Sequence, residues 1–280
     1  MAPCRGRRRH DESSSVAGGR RKLYLSGRMP TADLETTEAR AAAAGGAEKR
    51  AYVRRIFSEI APRYDLLNHL LSFNIDRRWR RRAITALDPL RQPTGVYVDL
   101  CAGTLDVAAE LSQTPGFRGL VLGTDFAEPM LRAGLDKAPR ILVAPVTADA
   151  LELPLADNTA AGAIVAFGIR NVASLSAALA EVYRVLVPGG RFVILEFSTP
   201  RSPIVRAAYH GYFHAVLPAV GRIVSGHRTA YRYLPESVAR FPVHEELARA
   251  MRDAGFTDVR WDTLTLGVAA IHSGDKPGPA

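Results

Sequence analysis

The run Asp99-Leu100-Cys101-Ala102-Gly103-Thr104-Leu105-Asp106 closes an apolar stretch on a single glycine, and about twenty residues later Gly123-Thr124-Asp125 closes another. A glycine at the first position lets the backbone pass close to a ligand with no Cβ in the way. A carboxylate at the second accepts hydrogen bonds from two vicinal ribose hydroxyls, each worth about 1 kcal/mol net. Asp149-Ala150 closes a third stretch, placed to meet an adenine edge or its exocyclic amine. Together these residues describe a grip on an adenosine-containing ligand. The fingerprint G-x-G-x-x-G is missing, since Gly103 stands alone where three glycines would support a pyrophosphate. That disfavours a nicotinamide dinucleotide and suits S-adenosylmethionine, which carries no phosphate. Each element also has a plainer reading: Asp125 as a helix N-cap before Glu128, Gly103 as a turn glycine, Asp149 as a solvated loop acid.

The motifs need strands that end where they stand, and the apolar patterning supplies them. Val96–Cys101, Gly119–Phe126, Ile141–Val146, Ala161–Ile169 and Arg191–Phe197 read as buried strands. Helical patterns separate them: one through Leu111, one over Glu128–Ala138, and one over Ser174–Val187, which Pro188-Gly189-Gly190 stops. Such alternation means a parallel sheet covered on both faces. A helix over His244–Ala254, ended by Gly255, leads to strands at Asp258–Leu264 and Val268–Ser273. Their tight join near Gly267 leaves no room for a crossover helix, so they form an antiparallel hairpin. Ahead of the sheet, Ala47–Ile60 and the strongly basic Arg77–Leu87 have helical spacing.

The 280 residues, 47% hydrophobic, can fill a sizeable core. No stretch approaches the roughly eighteen apolar residues of a membrane-spanning helix. Cys4 and Cys101 are far apart and show no ligand spacing, which points away from disulfides and structural zinc and towards a reducing cytosol. The net charge is +9, and residues 1–50 carry 11 Arg/Lys against 6 Asp/Glu. Residues 1–46 therefore read as a disordered basic extension, residues 47–275 as one domain, and 276–280 as a disordered tail. Pro200–Pro242 is an irregular insert with Tyr209, Tyr212, Phe213, Tyr231, Tyr233 and Phe241, six arginines and Glu236 as its one acid. Its His210, His214 and His227 lack carboxylate or cysteine neighbours, so no metal site is expected.

Three further segments resemble the menaquinone/ubiquinone biosynthesis methyltransferase family. They are Tyr64-Asp65-Leu66-Leu67-Asn68 through Trp79, then Phe167-Gly168-Ile169-Arg170-Asn171-Val172, then Arg184-Val185-Leu186-Val187-Pro188-Gly189-Gly190 through Glu196-Phe197-Ser198. The resemblance runs from about residue 50 to 275. It implies a Rossmann-like class I methyltransferase fold: a mostly parallel seven-stranded sheet with one antiparallel edge strand, N-terminal helices, and 200–242 as a substrate lid. Carried over by position, Thr104, Asp125 and Asp149-Ala150 are the expected S-adenosylmethionine contacts, beside Gly103. Four positions depart from the family: Ala166 for a serine, Leu105 for a small residue that could narrow the cofactor loop, Asp76 for a histidine, and Val187 for a lysine.

The implied reaction is C-methylation of a prenylated quinol, on the naphthoquinol of the menaquinone route or the benzoquinol of the ubiquinone route. A ring carbon becomes nucleophilic when a ring oxygen ionises, so the site must favour a phenolate and align the carbon with the methyl donor. Arg170 is expected to stabilise that phenolate, directly or by orienting a water, with Asn171 and Tyr64 as hydrogen-bonding neighbours; its plainer reading is an ion pair tying the turn to the sheet. A cytoplasmic protein touching the inner membrane face fits the aromatic and basic insert. A homodimer or a quinone-biosynthesis assembly is left open, and no specific nucleic acid is expected. The competing readings are a methyltransferase for another small lipid or phenol, a nicotinamide-dependent dehydrogenase, and a non-catalytic binding protein.

Overall fold

The computed structural model describes residues 46–65, 72–212 and 230–278. The basic extension, the Leu66-Leu67-Asn68 part of the first signature and the centre of the insert lie outside them. Seven strands form one sheet: β1 (Val96–Leu100), β2 (Leu120–Asp125), β3 (Val143–Thr147), β4 (Ala160–Ala166), β5 (Leu186–Phe197), β6 (Thr257–Leu264) and β7 (Ala269–Asp275). Their order is β3-β2-β1-β4-β5-β7-β6. The first five are mutually parallel, and β7 runs antiparallel to both β5 and β6. The hairpin expected at the edge is present, with the reversed strand β7 seated between β5 and the outermost β6. The crossover from β5 to β6 skips one place, and the return strand fills it.

Strand order reverses between β1 and β4, which opens a crevice beyond their carboxyl ends. Alternate side chains of the buried strands feed two cores. On one face Tyr97, Val121, Ile164 and Val193 meet α2 (Ile75–Leu87) and α3 (Asp106–Ser112) through Trp79, Ala83, Leu87 and Leu111. On the other, Val98, Leu100, Val165 and Ile194 meet α5 (Leu175–Val185) and α8 (His244–Asp253). The period-two burial of the strands and the apolar stripes of the helices account for both layers. A third cluster joins α1 (Gly46–Ile60) to α7 (Ala230–Ala239), with Tyr52, Val53, Ile56 and Ile60 packed on Tyr233. This pair caps the crevice.

Several boundaries differ from the sequence reading, each for a local reason. β4 stops at Ala166 because Phe167 takes a left-handed backbone (φ 60°) and Ile169–Asn171 coil into a 3₁₀ turn. The helix after β2, α4 (Glu128–Ala133), ends five residues early at Gly134, which caps it. Pro188-Gly189-Gly190 lies within β5, where the pairing with β4 shifts register. Ser174 caps α5 by accepting from Ala177 N at 3.2 Å. Lys276, assigned to a disordered tail, is instead fastened: its backbone N–H reaches Gly190 O at 2.8 Å, and its ammonium donates to the carbonyls of Tyr183 and Leu186. The ladder simply continues one residue past β7.

His272, in the middle of β7, is 2% exposed and donates from Nε2 to His244 O at 3.1 Å. Burial holds its pKa down at about 4. The unfolded chain binds this proton near pH 6.5, so stability should fall as pH drops from 6.5 towards 4, by on the order of 3 kcal/mol. Comparing denaturant midpoints of the wild type and His272→Gln at both ends of that window should show the smaller acid loss in the variant.

Candidate active site

Two adjoining cavities occupy the crevice. The smaller, about 50 Å³, is walled by Gly103, Asp125, Phe126, Asp149, Ala150 and Asn171, among others. The larger, about 410 Å³, lies between the strand ends and α1, α2, α7 and α6 (Pro203–Gly211). Six residues, Phe57, Tyr64, Cys101, Gly103, Ala166 and Phe167, wall both. A group bound in one cavity therefore faces a group bound in the other across a shared, mostly apolar boundary.

Asp125 organises the smaller cavity. It is buried; Oδ2 accepts from Gly103 N at 2.9 Å and Oδ1 from Ala127 N at 2.8 Å. Burial pushes its pKa up, opposed by those backbone donors. A carboxylate has about four lone-pair sites, so these backbone donors leave capacity for a ligand. The helix-cap reading does not hold: Ala127 occupies the cap position of α4 without a side-chain cap bond, and the bond from Ala127 N to Asp125 fixes the turn ahead of it. Gly103 has φ +53°, and a Cβ there would meet Met130 and Tyr64. Asp149 is more committed than expected: Oδ1 accepts from Leu151 N at 2.9 Å and Oδ2 pairs with Arg50 of α1 at 3.0 Å. Asn171 lies in this cavity, and its buried Oδ1 has no hydrogen-bond partner.

Leu105 does not touch the cofactor loop's open side. It has φ 64°, is 2% exposed and lines neither cavity; a Cβ on Gly123 would lie 2.3 Å from its Cδ2. The large side chain is accommodated beneath β2 because residue 123 is glycine. Val187 also lines neither cavity.

Thr104 faces the larger cavity, not the smaller, and its hydroxyl donates to Asp65 Oδ1 at 2.5 Å. Around it runs a charged chain that the sequence reading did not assemble. Lys137 pairs with Asp65 (2.6 Å) and Asp106 (2.5 Å), and Arg80 with Asp106 (3.3 Å) and Asp76 (2.8 Å). Asp76, one of the family departures, thereby neutralises a buried arginine. Asp99 also lines this end, with Oδ2 on Ala108 N at 3.0 Å. Burial pushes its pKa up to about 8 against the pull of the Ala108 N–H, with Asp125 and Asp106 adding repulsion. An acid inside an otherwise apolar strand was the available signal for it.

Arg170 lies in the wall of the larger cavity, buried, and its guanidinium is already engaged. Nη1 donates to Glu196 Oε1 at 2.8 Å and to the Phe167 carbonyl, and Nε to Ser237 Oγ at 3.3 Å. Glu196 is the partner the sequence reading missed; burial raises its pKa although Arg170 pulls it down. Trp79, Phe167 and Phe197 form an aromatic wall, with Phe167 and Phe197 centroids 4.6 Å apart, and Arg170 lies 5.5 Å above the Phe197 ring.

A family model, the ubiE/COQ5 methyltransferase family, matches residues 46–276. The chain belongs to that family. A demethylmenaquinone methyltransferase from Thermus thermophilus is 50% identical over 225 residues, covering 79% of this chain and all of that protein. A ubiquinone/menaquinone biosynthesis C-methyltransferase, UbiE, from Geobacter sulfurreducens is 45% identical over 236 residues, 82% of this chain and 90% of that one. Among solved structures, a SAM-dependent methyltransferase from Thermotoga maritima superposes with a TM-score of 0.56 at 21% identity, covering 79% and 98% of the two chains. The [4+2]-cyclase SpnF superposes at 0.59 with 16% identity, covering 81% and 96%. Those two likenesses establish the class I methyltransferase fold alone, which hosts more than one reaction.

The protein is a methyltransferase with S-adenosylmethionine as its cofactor, and the polar groups lining the smaller cavity are of the kind that would meet its hydroxyls and amino groups. An unpartnered amide oxygen at Asn171 and the carboxylate of Asp125 are acceptors that would take hydrogen bonds from the ligand's hydroxyl and amino groups, beside the glycine at residue 103. Asp125→Asn would set an amide N–H against a backbone N–H that now donates to the carboxylate. Titration calorimetry with S-adenosylhomocysteine should show affinity reduced roughly 10- to 100-fold; an unchanged Kd would remove Asp125 from the cofactor site.

Proposed function

We propose that the protein methylates a ring carbon of a prenylated quinol, with demethylmenaquinol as the first substrate and 2-polyprenyl-6-methoxy-1,4-benzoquinol as the equivalent in ubiquinone biosynthesis. The observation that carries this reading is the apolar cavity of about 410 Å³ sharing a wall with the cofactor cavity. Its size suits a bicyclic ring and the start of an apolar tail. The curated relatives named above are called after the same chemistry.

Bound S-adenosylmethionine supplies an electrophilic methyl carbon. The chain's own residues then have three tasks. Trp79, Phe167 and Phe197 present flat apolar faces against which an aromatic ring can stack. Tyr64, walling both cavities, and Gly103 set the boundary across which carbon meets methyl. Arg170, backed by Glu196, offers N–H groups to a ring oxygen and favours its ionised form; Glu196 fixes the guanidinium's direction, so no reorganisation accompanies the reaction. Asn171 acts towards the cofactor through its unpartnered oxygen. Asp99, held by the Ala108 N–H, walls the opposite end of the cavity.

Residues 47–275 form the catalytic unit in this reading, and 200–242 the lid, of which α6 and α7 contribute Tyr209 and Tyr233 to the cavity wall. No helix among the described residues is long and apolar enough to cross a membrane. In this reading the prenyl tail brings the protein to the cytoplasmic membrane surface as a peripheral visitor.

Arg170→Lys loses the fork geometry and should lower kcat roughly 10- to 100-fold while leaving S-adenosylhomocysteine affinity intact; wild-type turnover in the folded variant would take Arg170 out of the reaction. Deleting the gene should leave an unmethylated quinone precursor detectable by mass spectrometry, and its ring names the substrate. A quinone pool of unchanged composition would reject the assignment.

A further inference from the structure

Of the six large apolar side chains exposed among the described residues, three stand on segments that wall the larger cavity. Phe73 is 74% exposed, Ile204 84% and Leu266 77%. Phe73 itself lines the cavity, with its ring 6.4 Å from that of Tyr212, another lining residue. Ile204 precedes the lining residue Val205 on α6, and Leu266 stands between the lining residues Thr265 and Val268. The three segments are tied together: Trp79 Nε1 donates to Thr265 Oγ1 at 2.9 Å, and the turn at Gly267 packs on Pro200, just ahead of α6.

Two of these side chains are held out at a cost. Phe73 (φ 52°) and Leu266 (φ 58°) both occupy the left-handed region, which for bulky residues is worth about 1–2 kcal/mol of strain each. Neither recovers that cost by burial in the folded chain. The exposed charges on α2 and α6 beside them have one sign. Arg77 and Arg78 are exposed in the turn after Phe73, and Arg206 two residues beyond Ile204. Arg201 is already paired with Glu245. Neither α2 nor α6 carries an exposed acid; Asp76, the single acid on either, is 4% exposed.

We propose that Phe73, Ile204 and Leu266, ringed by Arg77, Arg78 and Arg206, form a docking surface that inserts into the headgroup boundary of an anionic lipid bilayer and sets the mouth of the larger cavity against it. This rests on the prenyl-quinol reading for its purpose, since a tail too long for the cavity must leave by an apolar exit. The physics of the surface stands by itself: apolar anchors gain burial in the acyl boundary, and each nearby arginine gains attraction from anionic headgroups. A protein partner would be expected to answer such cations with acids and to need a larger continuous face.

The test is co-sedimentation of the full chain with phosphatidylcholine vesicles, with and without phosphatidylglycerol. The wild type should partition onto the anionic vesicles. Ile204→Ser with Leu266→Asn should reduce that partition roughly tenfold or more; asparagine tolerates the left-handed backbone, so the turn is kept. Neither residue lines a cavity, so methyl transfer to a short-tailed, water-soluble quinol should remain at the wild-type rate, which also reports folding. Transfer to a long-tailed quinol embedded in the vesicles should fall with the partition. A wild type that ignores anionic vesicles, or a double variant that binds them equally well, overturns the proposal. Loss of a dimer in place of vesicle binding would assign the face to a second copy of the chain and overturn it too. No transfer to the soluble quinol by the wild type would refute the quinol reading, while the partition measurement would still decide the docking surface.

Discussion

The loop at the head of the crevice depends on one buried carboxylate. Asp125 at the end of β2 takes Gly103 N from the loop after β1 and Ala127 N at the entry of α4. Hydrogen bonds to a charged acceptor are worth about 1.5–3 kcal/mol each, yet burial still leaves the pKa of this group raised. The bonds therefore offset most of a desolvation cost and hold the loop in a fixed shape. That loop needs holding: Cys101, Gly103 and Leu105 all have positive φ within five residues. A backbone this strained persists only where its surroundings over-determine it. Here Asp125 fixes one side, and the packing of Leu105 beneath Gly123 fixes the other.

From that loop the crevice divides by polarity. Towards α4 the cavity wall offers acceptors with capacity to spare, at Asp125 and Asn171. Towards α2 and α6 it offers three aromatic faces, with a charged chain from Lys137 through Arg80 at one end and the Arg170–Glu196 pair at the other. Both buried arginines are balanced by buried acids, which avoids the several kcal/mol of an isolated interior charge. An apolar ring site can then sit between charged ends without an uncompensated field. Phe167, left-handed in backbone and shared between the two cavities, is the hinge of this division.

Two departures from the family pattern become intelligible as local exchanges. Leu105 is large, but its bulk goes into the core because Gly123 leaves the space, so the cofactor loop is not narrowed from above. Asp76 is an acid in a buried position, and Arg80 one helical turn later answers it. Each depends on a second residue that is distant in the sequence or hidden by helical phase.

How much was legible follows from the range of the forces involved. Alternating apolar runs and turn residues identified every strand, the covering helices and the closing hairpin, because burial periodicity is a local property of the chain. Gly103, Asp125 and the Asp149-Ala150 pair were legible as strand-end residues for the same reason, and the structure brings them to the wall of one cavity. Pairings were not legible. Glu196 facing Arg170, Arg50 crossing to Asp149, and Thr104 turning from the cofactor to Asp65 all join residues that only folding brings within 3 Å or so. Nor could sequence tell that Phe167 ends its strand or that Lys276 is fastened by three carbonyls, since strain and long-range hydrogen bonds carry no local signature. The sequence by itself determined the architecture, the cofactor's chemical class and which residues stand at the strand ends; tertiary structure alone decided which side chains meet there, because desolvation and ion pairing depend on neighbours that hydrophobic pattern does not encode.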